Sequence, residues 1–200
     1  MISHPVFLQE RQSELIVQAH VVEAIDESHL KCIETEWAPI LRRHHQDLIN
    51  QGKPLPENWH WRWRDKVSSM KGVIAVRTFA IECRGRTQGV MLVNTAFRSR
   101  LPGQRSKELA YIDYVETAPW NQRSITASPQ FAGVGVTMVR TAIAVSHEED
   151  GQGRIGLHSL PSAETFYADR CQMTDLGLDG TKQNLRYFEM TPQQAAAFSS

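Results

Sequence analysis

The residues with the clearest chemical meaning form a glycine-rich turn, Gln130-Phe131-Ala132-Gly133-Val134-Gly135. Glycine has no Cβ atom, so Gly133 and Gly135 let an anion approach the main chain closely. If a helix begins at this turn, its free N–H groups and the positive end of its dipole stabilise a phosphate there. The same residues could also form an ordinary turn, and the flanking elements decide between the two interpretations.

The patterns on both sides of the turn predict a strand before it and a helix after it. The apolar run at residues 109–115 predicts the strand, and residues from 136 to about 149 have helical spacing. A second short strand is predicted over residues 154–159, and a helix opens at Pro161. This order places the glycines where N–H groups can converge on an anion.

These elements and their motifs resemble the Gcn5-related N-acetyltransferase (GNAT) family. The pyrophosphate loop of that family reads Gln/Arg-x-x-Gly-x-Gly/Ala, and the segment from Gln130 to Gly135 matches it at every defined position. A later motif of the family reads Ala-x-x-(apolar)-Tyr, which Ala163-Glu164-Thr165-Phe166-Tyr167 matches. The distinctive part of the resemblance covers residues 108–173, and the N-terminal half fits in the order of its elements.

The resemblance implies an α/β fold, with a single GNAT-like domain over residues 1–200. Its sheet would be mixed and mostly antiparallel, flanked by helices, and splayed at two central strands, 109–116 and 154–159. Acetyl-CoA is the implied co-substrate, with its pyrophosphate on backbone amides and its thioester carbonyl beside a strand N–H. The expected cofactor-binding residues are Val115, Thr117, Gln130, Phe131, Ala132, Gly133, Val134, Gly135 and Val136.

Acetyl transfer to an amine also needs a base, and carboxylates near the first central strand are the candidates. Strand alternation puts Glu108 and Glu116 on one face and Asp113 on the other. Family enzymes often carry a glutamate near the start of this strand, which favours Glu108, whereas the expected splay favours Glu116. Either could instead be a solvated carboxylate at a strand end. His158, at the end of the second central strand, is a further candidate base or a structural histidine.

Tyr167 is the candidate general acid, because the resemblance places a tyrosine here near the CoA sulfur. Its hydroxyl can protonate the departing thiolate. Alternatively, Phe166 and Tyr167 pack with Ala163 on a buried helix face.

Two further segments lie near the implied site. Trp59, Trp61 and Trp63 occur where the family places a helix and loop over the acceptor, so they could bind the acceptor or pack the helix onto the sheet. Residues 117–129 are longer than the corresponding connection in the family and form either a substrate wall or a surface loop. Leu160 replaces an asparagine often found seven residues before the tyrosine.

The remaining elements predict a mixed α/β domain. Residues 15–22 predict a strand, and residues 30–48 predict helix that Pro39 divides or kinks. A hairpin is predicted from strands 73–82 and 89–96 with the turn at residues 84–89, and residues 185–190 predict the last strand. The tail after Thr191 is expected to add a helical turn.

Composition limits the functional classes. Lys plus Arg and Asp plus Glu both number 22, which argues against a nucleic-acid binder. No apolar run has the length of a membrane span, no signal peptide is recognisable, and the three cysteines are far apart, which together predict a cytoplasmic protein without disulfides. The eight histidines form no metal motif, so we expect no metal site.

The sequence therefore predicts an N-acetyltransferase that uses acetyl-CoA and a small-molecule or peptide amine. A non-catalytic acyl-CoA-binding regulatory module with the same fold is the alternative, and retention of Tyr167 and several carboxylates favours catalysis. A dinucleotide-binding enzyme is disfavoured, since Gln-x-x-Gly-x-Gly is not Gly-x-Gly-x-x-Gly. Dimers are common in the family, so a homodimer is compatible with the resemblance.

Overall fold

A computed structural model describes residues 2–199 and contains one mixed sheet flanked by helices, as predicted. The sheet has nine strands, more than the sequence patterns indicated. The strands follow the order β6-β1-β2-β3-β4-β5-β7-β9-β8. They are β1 (Ser3–Glu10), β2 (Ile16–Glu23), β3 (Val76–Cys83), β4 (Arg86–Arg98), β5 (Glu108–Thr117), β6 (Phe131–Ala132), β7 (Ile155–Ser159), β8 (Thr174–Asp179) and β9 (Leu185–Met190). The helices are α1 (Glu27–Cys32), α2 (Ala38–Asn50), α3 (Trp63–Ser69), α4 (Val134–Glu148) and α5 (Pro192–Ser199).

The two predicted central strands, β5 and β7, form a parallel pair. Their ladder joins Ala110 to Ile155, Tyr111 to Gly156 and Ile112 to Leu157. Parallel neighbours need a crossover connection, which here contains α4. The pairs β1–β2, β2–β3, β7–β9 and β8–β9 are antiparallel, so the mixed, mostly antiparallel sheet is confirmed.

The chain divides into two compact units. The first comprises the chain up to Val73 together with Thr78–Met91 and Val115–Met138. The second comprises Ile74–Arg77, Leu92–Tyr114 and the chain from Val139 onward. The core of the first unit includes Leu8, Trp37, Ile81 and Met138, and that of the second includes Leu157, Phe188 and Met190.

The helical segment after β2 is continuous through Pro39, and a π-helical turn takes the place of a break. Asp26 caps α1, because its carboxylate accepts from the N–H groups of Ser28 and His29 while His29 Nδ1 accepts from the Asp26 N–H. The turn Ile33–Trp37 then joins α1 to α2, with the Ala38 N–H bonded to the Ile33 carbonyl. A proline ring collides with the carbonyl four residues earlier in a regular α-helix, and the wider turn gives Pro39 room.

The hairpin is tighter than predicted. Arg84 and Gly85, with φ of 51° and 71°, form a two-residue turn, so β4 already begins at Arg86. Positive φ at both central residues is the geometry that joins twisted antiparallel strands most compactly. The turn expected over residues 84–89 was therefore too long.

No helix within residues 2–199 is long and apolar enough to cross a membrane.

Candidate active site

Glu116 lies near the end of β5 and is a buried carboxylate, only 8% exposed. Trp63 Nε1 donates to its Oε2 at 2.5 Å, and Asn58 Nδ2 donates to its Oε1 at 3.2 Å. Burial raises the pKa of Glu116 to about 7, more than the Trp63 hydrogen bond and the Lys66 charge lower it. A carboxylate with such a pKa can accept a proton near neutral pH.

Glu116 lines a cavity of about 530 Å³ in the first unit. This volume suits a small molecule. The other lining residues come from α1, the π-helical turn, α2, the two residues before α3 and the first turn of α3: Leu30, Ile33, Glu34, Ala38, Leu41, Trp61, Arg62, Trp63, Arg64 and Asp65. Every residue of α2 keeps at least part of its surface exposed, and its apolar Ala38 and Leu41 border the cavity.

The wall of the cavity is held by a double ion pair. Arg64 donates from Nε and Nη2 to Glu34, and from both terminal nitrogens to Glu27, at distances of 2.7–2.9 Å. These contacts join the start of α3 to α1 and the π-helical turn. The guanidinium fork matches two carboxylates at once, which fixes the relative position of these segments.

The three tryptophans have different surroundings. Trp63 is 3% exposed and hydrogen-bonded to Glu116. The Trp61 ring contacts the Trp63 ring edge-on, with 6.2 Å between the ring centroids, and Trp59 is 55% exposed. The Lys66 ammonium lies 4.5 Å from the Trp61 ring centroid. Trp61 and Trp63 therefore line the cavity, whereas Trp59 does not.

Glu108, the other predicted carboxylate, has a different environment at the opposite end of β5. Its side chain is 46% exposed and paired with Arg98. Hydrogen bonds to its own backbone and to Arg98 lower the pKa of Glu108. It is thus a weaker base than Glu116, and these observations favour Glu116 between the two.

His158 has both ring nitrogens engaged. Its Nδ1 lies 2.6 Å from the Tyr111 hydroxyl, and its Nε2 lies 2.9 Å from Asp179 Oδ2. The side chain is 3% exposed, and burial lowers its pKa. This arrangement corresponds to the structural alternative for His158.

The glycine turn has the predicted position between a strand and a helix. Gly133 has φ +95°, a conformation that favours glycine, and α4 begins at the next residue. The Thr137 N–H bonds to the Gly133 carbonyl, whereas the N–H groups of Val134, Gly135 and Val136 belong to the first helical turn, which has no intrahelical acceptors. These are the N–H groups that the predicted pyrophosphate site requires.

The backbone N–H groups of the first two residues of the predicted loop donate hydrogen bonds to other parts of the protein. The Gln130 N–H donates to the Trp120 carbonyl at 2.9 Å, and the Phe131 N–H donates to Asn121 Oδ1 at 3.0 Å. Phe131 and Ala132 also pair with β1 as β6. The expectation that the Phe131 amide is free for a phosphate is therefore wrong, because Asn121 in the 117–129 segment already accepts its hydrogen bond.

The 117–129 segment packs back onto β4. The Ala118 N–H donates to the Gln88 carbonyl, and Trp120 Nε1 and Asn121 Nδ2 donate to Gln88 Oε1 at 2.9 and 3.0 Å. Nearby, an added Cβ on Gly89 would lie 2.9 Å from Val134 Cγ1 and 3.4 Å from the Glu116 carbonyl oxygen. Gly89 thus lets the start of α4 and the end of β5 approach the same point of β4. Val115 and Thr117 lie at this end of β5.

Tyr167 lies in the second unit, in a π-helical turn (Phe166–Arg170), and is 6% exposed. Its ring neighbours are Phe166 at 5.2 Å and Phe188 at 6.1 Å. Burial raises the pKa of the Tyr167 hydroxyl, which stays protonated at neutral pH. Within residues 2–199 this hydroxyl has no hydrogen-bond partner, and its oxygen is not among the fully buried polar atoms that lack one.

The pKa of Glu116 has a consequence for stability. Its folded value of about 7 exceeds the ordinary value of 4.5, so its contribution to stability is complete below about 4.5 and is lost as the pH rises through 7. We expect the melting temperature of the wild type, relative to Glu116→Gln, to decrease across this interval. Thermal denaturation of both proteins at a series of pH values measures this difference in melting temperature. A difference that stays constant with pH would contradict the burial of an ionisable Glu116.

Sequence reasoning missed Asn58 and the apolar wall on α1 and α2. Leu30, Ile33 and Leu41 were recognisable by helical spacing, but that pattern gave no indication of a cavity. Asn58 carries no comparable signal, because its role depends on a carboxylate 58 residues away.

Comparisons with known proteins agree with this architecture. No family model matches the chain, and no curated protein matches its sequence. Among solved structures, the GNAT domain of S. lividans PAT is 13% identical, with a TM-score of 0.53 over 94% of this chain and 96% of that one. The N-acyl amino acid synthase FeeM from uncultured soil microbes is 10% identical, with a TM-score of 0.55 over 90% and 94%.

A third structure, aminoglycoside acetyltransferase AAC(6')-Ib in complex with coenzyme A and kanamycin, is 16% identical, with a TM-score of 0.50. The match covers 90% of this chain and 99% of that one. At these identities the likeness lies in the fold.

Proposed function

We propose that this chain, which has the fold of the GNAT acetyltransferases, transfers an acetyl group from acetyl-CoA to an amine. The observation that carries the proposal is Glu116, a carboxylate with a pKa of about 7 at a cavity large enough for a small amine. The most direct test is release of CoA thiol from acetyl-CoA in the presence of a panel of amines. Binding of acetyl-CoA without thiol release for any amine would favour the non-catalytic regulatory module.

Each proposed role uses a group described above. Acetyl-CoA supplies the acetyl thioester. The amides of Val134, Gly135 and Val136 bind the pyrophosphate, and a backbone N–H between Val115 and Thr117 stabilises charge on the carbonyl oxygen. Glu116 removes the proton from the ammonium of the acceptor, so that its nitrogen becomes nucleophilic. Tyr167 donates its hydroxyl proton to the departing thiolate.

The pyrophosphate site makes a prediction about CoA binding. Gly135→Val places a branched side chain in the first turn of α4, where a phosphate would approach. A hydrogen bond to a charged group contributes about 1.5–3 kcal/mol, so we expect CoA affinity to fall about 10- to 100-fold. Titration calorimetry measures the change.

Gly103→Val is the matched control, because an added Cβ there has no heavy atom within 4 Å. Unchanged CoA affinity in a folded Gly135→Val protein would contradict this position for the pyrophosphate.

A further inference from the structure

The peptide group between Gln130 and Phe131 is held on both of its sides. Its carbonyl oxygen accepts from the N–H of Arg11, directly after β1, at 2.9 Å, and its N–H donates to Asn121 Oδ1 at 3.0 Å. The C=O and N–H of a trans peptide point in opposite directions, so the two hydrogen bonds together fix the orientation of this peptide plane. The plane lies just before Gly133, where the chain turns into α4.

Asn121 supports the outer side of an edge strand. β6 contains two residues and lies at the end of the sheet, paired with β1 on one side. On the other side, where no further strand of the described sheet lies, Asn121 accepts the hydrogen bond of Phe131. Gly133 follows with φ +95°, and glycine has a wide choice of backbone conformations. The direction of the first N–H groups of α4 therefore depends on how firmly β6 is held.

The orientation of the Asn121 amide is determined by Gln88, which is 1% exposed. Gln88 Nε2 donates to two backbone carbonyls at the β3–β4 turn, at 3.3 and 3.4 Å, which leaves its Oε1 as the acceptor on the other side. Oε1 accepts from Trp120 Nε1, a group that can only donate, and from Asn121 Nδ2. With its nitrogen at Gln88, the Asn121 amide presents its oxygen to the Phe131 N–H.

A flipped Asn121 amide would be unfavourable at both ends. Its oxygen would face Gln88 Oε1, and its nitrogen would face the Phe131 N–H, so two acceptors and two donors would meet. Gln88 and Phe131 are both buried, where an unsatisfied polar group costs more than a hydrogen bond contributes. These three residues therefore have one favourable arrangement, and they belong to the same compact unit as the start of α4.

We propose that Asn121 is a positioning residue for the binding of CoA. Oriented by Gln88, its side chain holds the Gln130–Phe131 peptide and thereby aligns the N–H groups at the start of α4 with the pyrophosphate. This inference rests on the proposed function, since it concerns the pyrophosphate site of acetyl-CoA. It assigns the 117–129 segment, for which the sequence allowed a substrate wall or a surface loop, to the binding of the co-substrate.

Asn121→Ala removes the acceptor of the Phe131 N–H. Without it, only a fraction of the molecules has the loop in the binding-competent conformation, and the apparent affinity falls by that fraction. One hydrogen bond corresponds to a change of about 3- to 10-fold, so we expect CoA affinity to fall by that factor. Titration calorimetry on the full chain measures it. A residue that only stabilises the fold would instead lower the number of binding sites per chain and leave the affinity unchanged.

Asn50→Ala is the matched control. It makes the same substitution at an exposed position of the same unit and also removes one side-chain hydrogen bond, with Gln46. We expect this variant to bind CoA with wild-type affinity. Unchanged affinity in Asn121→Ala, or an equal loss in Asn50→Ala, overturns the inference.

Gln88→Met tests whether Gln88 acts through Asn121. Methionine has a similar length but cannot orient the amide, so CoA affinity should again fall by about 3- to 10-fold. In the double variant with Asn121→Ala, the loss should be smaller than the product of the two separate losses, because the amide to be oriented is absent. Losses that multiply fully contradict the role of Gln88. If Gln88→Met does not fold, the comparison of Asn121→Ala with Asn50→Ala decides the inference.

The wild-type titration separates this inference from the proposed function. Absence of CoA binding to the wild type contradicts the proposed function, and this inference with it. CoA binding that is equally strong in the wild type and in Asn121→Ala contradicts the positioning role alone and leaves acetyl transfer to be tested by thiol release.

Discussion

Glu116→Gln is expected to lower the turnover of acetyl transfer at neutral pH by about 10²- to 10⁴-fold, the usual contribution of a general base. Glutamine has nearly the same shape, and its one amide oxygen can still accept the hydrogen bond from Trp63, whereas its amide nitrogen replaces the oxygen that accepts from Asn58. The glutamine side chain cannot take a proton. In the wild type, kcat/KM should rise with pH up to about 7 and then level off, because only the ionised carboxylate acts as a base. In the variant this rise should disappear.

Glu108→Gln is the matched comparison, since it makes the same change at the other end of β5 in an exposed, ion-paired carboxylate. We expect it to leave the pH–rate profile in place. If Glu108→Gln removes the rise and Glu116→Gln does not, the assignment of the base is wrong. If neither does, either the acceptor arrives already neutral or another group takes the proton, with His158 the next candidate.

Tyr167→Phe is expected to preserve CoA affinity and to lower turnover by about 10²- to 10⁴-fold. The phenyl ring still packs against Phe166 and Phe188, and only the hydroxyl, which has no partner within residues 2–199, is removed. For the same reason the variant should not lose stability. Single-turnover kinetics with a saturating amine, together with CoA titration and thermal denaturation, test these expectations.

The stability measurement distinguishes a catalytic hydroxyl from a structural one. A hydroxyl that supports the fold would cost stability when removed, and turnover would fall with the folded fraction. A decrease in turnover below about threefold, with chemistry rate-limiting, would mean that Tyr167 only packs.

Local patterns were sufficient for the elements that define the fold. The glycine turn, the strands on either side of α4 and the hairpin were predicted within a few residues, because alternation, helical spacing and turn-forming residues lie close together in the chain. The β1 strand was missed, since Ser3–Glu10 includes a proline and polar residues and its pairing depends on β2. The β8 strand was missed for a similar reason, with Gly177 in its middle at φ +85°.

The environment of Glu116 could not be predicted from sequence. Two carboxylates on one strand are equivalent by alternation, and the difference between them comes from partners far along the chain. Trp63 is 53 residues from Glu116 and makes it a buried, hydrogen-bonded group, whereas Glu108 has Arg98 nearby. Distant contacts of this kind also explain why the Phe131 amide was assigned to phosphate and not to Asn121.

The π-helical turn at Ile33–Trp37 makes the shape of the cavity depend on the number of residues in this turn. A π-helical turn contains one residue more than the α-helical turn it replaces, and each residue of an α-helix advances the direction of its side chains by about 100°. Deletion of a single residue here would rotate α2 by that angle relative to α1 and turn Ala38 and Leu41 away from the cavity. Homologues that gain or lose one codon at this point would therefore differ in the shape of this cavity even with every residue around Glu116 unchanged.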